Sequence, residues 1–284
     1  MPEGPEVWLC RKMLAESKCL GRAVTVEGRF TETLRDPIPD LTPINHRKLV
    51  RVVRSGKILG FEFDNDLTIV SHLGMTGMWN IVDGKRPPDR SVLKHQHVVL
   101  KFAGPTRSMD VRWVYTDARK FGMIALMDRQ QVNAMLARLG PEPTKEQSSN
   151  WLAQGLSQVS DAWTIKQYLM DPSKVLGIGN IYASEILNHC QIWPGMRAND
   201  AASKAPLILE KTKLVLAKAM ALGGSSIHTY RNPRGGNGKM QEHYVAYNRD
   251  GTVCKACKTG TIIKGVLKDG RSSYWCNNCQ AEES

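Results

Sequence analysis

Residues Lys48 to Leu73 read KLVRVVRSGKILGFEFDNDLTIVSHL. Three short runs rich in Val, Ile, Leu and Phe, namely 48–53, 57–63 and 67–73, are separated by Gly56-Lys57 and Asn65-Asp66. β-Branched and aromatic side chains suit a pleated, half-buried surface, and such breakers mark turns, so this stretch reads as three consecutive strands. The pattern continues outward in both directions. AVTVEG (23–28) precedes it, and HVVLKF (97–102), WVYTDAR (113–119) and MIALM (123–127) follow, with Asp83-Gly84 and Pro87-Pro88 as further breakers. Many short strands at this spacing predict a β-sandwich or barrel. Ahead of them, Val7, Cys10, Met13 and Leu14 recur at helical spacing, with Gly21 as the expected stop.

After Asp128 the pattern changes. Gln131–Leu139 reads as helix, Pro141-Glu142-Pro143 as a linker, and further helical stretches follow, the longest over Ser203–Leu222. Gly223–Lys239, GGSSIHTYRNPRGGNGK, is rich in Gly, Ser, Asn and Arg and reads as a mobile basic loop. The expected fold class is therefore α+β: a β-sandwich with a leading helix (1–128), a helical part (129–234) and a small C-terminal part (235–284).

Lys plus Arg total 39 against 27 Asp plus Glu, a formal charge of +12 on 284 residues. That excess fits a polyanionic partner, nucleic acid before an anionic membrane surface. No apolar run has the length of a membrane span and no signal-peptide core opens the chain, so an intracellular, soluble protein is expected. Of the seven cysteines, Cys10, Cys19 and Cys190 are scattered and read as small core residues. The other four form Cys254-x2-Cys257 and Cys276-x2-Cys279, with residues 258–275 between the pairs. In a reducing compartment this is the spacing of one structural zinc, two thiolates from each knuckle and no open position for chemistry. TIIKGVL and SSYWC, joined across Lys268-Asp269-Gly270, predict a hairpin that presents Arg271 to a phosphate.

Four further features carry possible chemistry. Lys174-Val-Leu-Gly177-Ile-Gly179-Asn180 joins two helical stretches, Thr164–Met170 and Ile181–His189. Amides at a helix start, with Asn180 beside them, can hold a phosphate, although many helix pairs simply turn on glycine. His72-Leu-Gly-Met75-Thr-Gly77 and Asp117-Ala-Arg119-Lys-Phe121-Gly122 place Met75, Arg119 and Phe121 where they are either strand-end core residues or wedges that fill a gap in a duplex. Lys57 opens an otherwise apolar strand, facing solvent or binding a phosphate beside another amine. The chain itself begins Met1-Pro2-Glu3-Gly4-Pro5-Glu6. With Met1 removed, the chain would begin with the secondary amine of Pro2. An α-amino group ionises at a pKa of ~7.8 against ~10.4 for a lysine side chain, and a secondary amine is intrinsically more basic, so part of this advantage depends on the site. The Pro2 amine could attack a sugar carbon to give a permanently charged iminium, with Glu3 as the neighbouring acid or base. A disordered terminus without function is the alternative.

These stretches occur together, in this order, in a known family: the chain resembles the formamidopyrimidine-DNA glycosylase / endonuclease VIII enzymes of base-excision repair. MPEGPEV is similar to the family's catalytic terminus, which implies Pro2 as nucleophile and Glu3 as its acid/base partner. GKILGF is similar to the strand bearing the family's lysine, here Lys57. HLGMTG and DARKFG resemble the void-filling loops, which places the inserted residues at Met75, Arg119 and Phe121. LGPEP (139–143) and GIGNIYASE (177–185) resemble the linker and the helix–two-turn–helix. GRSSYWC resembles the zinc-finger hairpin with Arg271 at its tip. The resemblance implies a bifunctional DNA glycosylase/AP lyase acting as a monomer on damaged double-stranded DNA. DNA contacts would come from Lys174, Gly177, Gly179, Asn180 and Arg271, with zinc on Cys254, Cys257, Cys276 and Cys279. Gly4 is similar to the branch that prefers oxidised pyrimidines. Met75, Arg119, Phe121 and LGPEP are similar to the purine-directed branch, and Ala118 and Lys120 depart from the family's more usual Pro and Arg. Two other classes compete: a zinc-ribbon DNA-binding protein without catalysis, and a metal-dependent nuclease. For the nuclease, the dispersed seven histidines offer no ligand cluster.

Overall fold

The computed structural model describes residues 1–29, 34–83, 94–227 and 230–282; the Pro87-Pro88 breaker lies outside them. By its contacts the chain falls into two compact units. One comprises Met1–Ala137 with Gly223–Lys239, the other Arg138–Leu222 with Met240–Ser284. No helix among the described residues is long and apolar enough to cross a membrane.

The first unit opens with α1 (Gly4–Ala15). Eight strands follow: β1 (Val24–Arg29), β2 (Leu49–Ser55), β3 (Ile58–Phe63), β4 (Leu67–His72), β5 (Met78–Asp83), β6 (Gln96–Phe102), β7 (Val111–Thr116) and β8 (Met123–Asp128). A short helix, α2 (Arg129–Leu136), closes the series. The strands form two four-stranded antiparallel sheets, ordered β1-β6-β7-β5 and β2-β3-β4-β8. The stretch 48–73 supplies three neighbouring strands of the second sheet, turning at Gly56 (φ +55°) and Asp66 (φ +60°).

The two sheets meet through aromatic side chains. Phe61 of β3 stands edge-on to Trp79 of β5 at 5.0 Å and to Trp113 of β7 at 5.2 Å. Phe102 of β6 lies 4.6 Å from Trp113. All four rings are essentially inaccessible. At 150–250 Å² per ring and about 25 cal/mol per Å², each contributes up to about 4–6 kcal/mol before conformational entropy is counted. Their indole N–H groups are not orphaned: Trp79 donates to Ser71 Oγ at 3.0 Å and Trp113 to Ser17 Oγ at 3.1 Å. Helix α1 lays Val7, Cys10 and Leu14 on this core and packs against β2 and β3. It ends before the expected stop at Gly21. The Ser17 hydroxyl donates to the Leu14 carbonyl at 2.6 Å, and Lys18 turns left-handed (φ +63°).

In the second unit, α3 (Asn150–Ser157), α4 (Ile165–Met170), α5 (Asn180–Cys190) and α6 (Ala205–Ala221) precede the hairpin β9 (Ile262–Val266) and β10 (Ser272–Cys276). Pro141-Glu142-Pro143 is not a free linker here. The Leu176 N–H donates to the Pro141 carbonyl at 3.0 Å and the Gly140 N–H to that of Pro172 at 2.9 Å, which pins the segment to the α4–α5 turn. Glu185, fully buried on α5, accepts the N–H groups of Val245, Ala246 and Tyr247 at 2.8–2.9 Å. Burial raises its pKa, and the three amides and Lys255 oppose that rise. Gln280, just past the second knuckle, is held by Asn188 at 2.6 Å and donates to the Ile192 carbonyl at 2.7 Å. The finger is thus sewn to the helices by buried polar groups with partners.

Gly223–Lys239 differs from the open loop expected of its composition. Its described residues are hydrogen-bonded into the first unit. The Ile81 N–H donates to the Pro233 carbonyl at 2.8 Å, and Asn232 closes a tight turn on Arg234 and Gly236. Arg234 also lies 3.5 Å from Asp83.

Candidate active site and nucleic-acid interface

At the start of the chain Met1 is exposed, whereas Pro2 and Glu3 are buried. Glu3 is the N-cap of α1 and forms a reciprocal capping box with Glu6. The Glu3 carboxylate accepts the Glu6 N–H, and the Glu3 N–H donates to Glu6 Oε2 at 2.8 Å. The terminus is therefore built into the helix start, with a carboxylate held one residue from Pro2. Glu6 is 1% exposed, and Glu three positions after an acidic cap is a recognisable signal of such a box.

Met75 and Phe121 are not core residues. They are 41% and 46% exposed, and the Arg119 guanidinium stacks over the Phe121 ring at 4.9 Å. What keeps these three side chains in solvent is Asp117, buried at the end of β7. Its Oδ1 accepts the Thr76 hydroxyl at 2.5 Å and the Arg119 N–H at 3.2 Å, and its Oδ2 accepts the Gly122 N–H at 2.7 Å. One carboxylate thus joins both loops. Gly74 (φ +59°) makes the crossing possible, since a Cβ there would sit 2.5 Å from the Phe121 backbone. Asp117→Ala would strand these donors, at roughly 1–3 kcal/mol for each that stays buried. The first unit should lose on the order of 3 kcal/mol in urea unfolding, and trypsin should cut at Arg119 or Lys120. Unchanged stability and trypsin resistance would contradict this role.

Lys57 sits half-buried in the β2–β3 turn, and its strand neighbour Ile58 pairs with His72 on β4. His72 accepts the Gly74 N–H at 3.1 Å through Nδ1. Its pKa is lowered, first by burial and then by the charges of Lys57 and Arg35, so it stays a neutral acceptor at the base of the Met75 loop.

In the second unit Gly177 (φ +86°) and Gly179 carry the chain into α5, with Gly179 as its N-cap and Asn180 as its first residue; Lys174 is half-buried just before the turn. Asn180 spends one amide hydrogen on the Ser272 carbonyl at 2.9 Å, which brings it beside the exposed Arg271. Lys166 on α4 supports the same hairpin. Its ammonium is fully buried and donates to Asp269 at 3.0 Å and to Ser273 Oγ at 2.7 Å. Nothing local in the sequence distinguishes this lysine from a surface one.

The four knuckle cysteines converge. Cys254 and Cys279 sulfurs are 3.8 Å apart, those of Cys257 and Cys276 are 3.6 Å apart, and all four lie within 4.8 Å of one another. A tetrahedron with bonds of about 2.3 Å spaces its sulfurs by about 3.8 Å, so the set can hold a metal ion as it stands. Amide donors, with Gly260 at 3.2 Å, lower the Cys257 pKa to about 5 and favour its thiolate.

Comparison with known proteins gives this geometry a family. The formamidopyrimidine-DNA glycosylase N-terminal domain matches residues 1–124, and the formamidopyrimidine-DNA glycosylase H2TH domain matches 139–231. Formamidopyrimidine-DNA glycosylases of Herpetosiphon aurantiacus and Halalkalibacterium halodurans are each 36% identical, over 99% of this chain and all of theirs. The chain belongs to the formamidopyrimidine-DNA glycosylase family. It is accordingly a DNA-binding glycosylase of DNA repair. Its fold is also similar to that of Lactococcus lactis Fpg, solved with DNA containing an oxidised pyrimidine and with DNA containing an abasic site. Both similarities have a TM-score of 0.84 and 30% identity, and cover 99% of this chain and all of that one.

Proposed function

We propose that this glycosylase is bifunctional, excising an oxidised base and then cutting the strand as an AP lyase, with the Pro2 amine as its nucleophile. The observation that carries the reading is the pairing of a buried Pro2-Glu3 terminus with two apolar side chains and a guanidinium held in solvent by Asp117. One supplies a nucleophile beside an acid, the other a wedge for a duplex. A chain that only bound DNA could use Glu3 to cap α1 but would have no use for a free Pro2 amine beside it.

In this mechanism Lys57, Lys174, Asn180, Arg271 and the Gly177–Gly179 backbone contact phosphates of damaged double-stranded DNA. The damaged nucleotide leaves the stack at a cost of a few kcal/mol, and Met75, Arg119 and Phe121 fill the gap. The Pro2 nitrogen bonds to C1′ and the base departs. Glu3 protonates the opening sugar oxygen, and the product is an iminium. That cation acidifies the C2′ hydrogen; its loss expels the 3′ phosphate, and a second elimination expels the 5′ phosphate. Lys57, near the reacting strand, assists by charge.

Four thiolates suit zinc in a purely structural role, since they fill its tetrahedron. Catalytic function and the wedge reside in residues 1–128, further DNA contacts in 129–234 and in the finger of 235–284, and the enzyme acts as an intracellular monomer. The names of the relatives favour formamidopyrimidines, ring-opened oxidised purines, as substrates. A variant of the Lactococcus lactis enzyme has been captured with Fapy-dG and the wild type with an oxidised pyrimidine, so a panel of duplexes carrying single lesions of each class is the direct comparison. Phe121→Ala and Met75→Ala should slow excision within a duplex by about tenfold or more, as expected for losing a stacking contact of about 1–3 kcal/mol. Both should spare lysis of a preformed abasic site in single-stranded DNA, which needs no unstacking. Equal losses on the two substrates would favour a packing role instead.

A further inference from the structure

Glu6 makes two ties at once. Its Oε2 accepts the N–H of Glu3, and its Oε1 accepts the N–H of Ser225, a residue 219 positions away in the Gly223–Lys239 segment, at 2.6 Å. The same residue's backbone carbonyl takes the Tyr230 hydroxyl at 3.0 Å. Burial, helped by Cys10 and Glu6, keeps that phenol protonated. Gly224 adopts φ +75°, and a Cβ there would lie 2.7 Å from Glu6 Oε1 and 2.9 Å from its Cγ. The segment is therefore fitted to this carboxylate, which is 1% exposed. Helix capping alone does not require the second tie.

We propose that Glu6 is a positioning residue that couples seating of residues 223–227 to the geometry of the Pro2-Glu3 terminus, so that the nucleophile is aligned only when those residues are docked. The inference rests on the Pro2 reading above. Its physical basis is that one rigid, buried carboxylate shares its two oxygens between the backbone of the catalytic terminus and that of the segment. Movement of either partner is transmitted to the other through a group that cannot turn to water.

Glutamine cannot replace it. A carboxamide has one oxygen and one NH2, so one of the two N–H donors would face another N–H. Gly224→Ala attacks the tie from the other side, through a strained backbone and a contact with Glu6. The experiment is borohydride trapping of the full-length chain on abasic-site duplex under single-turnover conditions. Amplitude reports the active fraction, the rate constant reports alignment, and DNA affinity is measured separately. Glu6→Gln and Gly224→Ala should each lower the rate constant by about 10–100-fold, the scale of misplacing a reacting group, with amplitude and DNA affinity retained. The double variant should be no slower than the slower single one, because both break the same link.

Glu6→Gln that lowers amplitude and melting temperature but leaves the rate constant unchanged would make Glu6 a structural cap and overturn the proposal. So would rate losses that multiply in the double variant. A wild-type chain that traps DNA elsewhere than Pro2 would overturn the nucleophile reading, and the coupling with it. Normal Pro2 trapping in Glu6→Gln would overturn the coupling alone.

Discussion

Glu3→Gln is expected to lower the single-turnover rate of base excision from a damaged duplex by about 10²–10⁴-fold, the range for losing a positioned general acid. The fold should tolerate the change. Glutamine keeps an oxygen for the Glu6 N–H and so preserves the cap of α1, a contribution of about 1 kcal/mol. DNA affinity should be unchanged, because no DNA phosphate contact is assigned to this side chain. Lysis of a preformed abasic site should fall much less, since the base has already gone. Parallel measurement of excision, abasic lysis and DNA affinity separates these cases. Loss of all three would indicate a damaged terminus and not a missing proton.

Removing the metal should have the second large effect. The finger's own core is small, formed by Ala246, Cys254, Ile262, Tyr274 and Cys276. Two of those five residues are thiols of the four-sulfur set. Zinc binding to such sites contributes apparent free energies of about 10–16 kcal/mol, more than so small a core supplies. Metal analysis should return about one zinc per chain. Chelation should then unfold β9–β10 and free Arg271 and the Ser272 carbonyl that Asn180 holds. DNA affinity should drop by about 100-fold or more, since several phosphate contacts go together. The aromatic core between the two sheets of the first unit should still melt as before. A metal-free preparation with full DNA affinity would contradict this account of the finger.

Much of the fold could be read from local pattern. The runs between Lys48 and Leu73 became adjacent strands because their breakers and their β-branched residues agreed. The two C-x2-C pairs converged because each pair of candidate metal ligands is encoded within four residues. The boundaries that shifted did so through side chains whose partners are distant or unexpected. Helix α1 ends early because Ser17 turns back on Leu14. Gly223–Lys239 looked unstructured because its partners are Glu6, Ile81 and Asp83, far away in the chain. The same reason hid the supporting residues of the candidate site. Asp117 meets Thr76 across 41 positions, and Lys166 meets Ser273 across 107. No periodicity records such pairings. The proposed nucleophile, wedge and knuckles were legible because each is a short motif, whereas what holds them was not, because support is tertiary.

The most direct test of the central claim is chemical capture at the terminus. An iminium between Pro2 and C1′ is reduced by borohydride to a stable amine. The processed chain, abasic-site duplex and borohydride should therefore yield a covalent protein–DNA adduct whose modified peptide begins at Pro2. A chain that retains Met1 or carries an N-terminal tag should yield none, because its Pro2 nitrogen is an amide. Lys57→Ala should slow the reaction without moving the adduct. DNA trapped on Lys57 or another lysine, or efficient trapping by the blocked terminus, would contradict the assignment of Pro2 as the nucleophile.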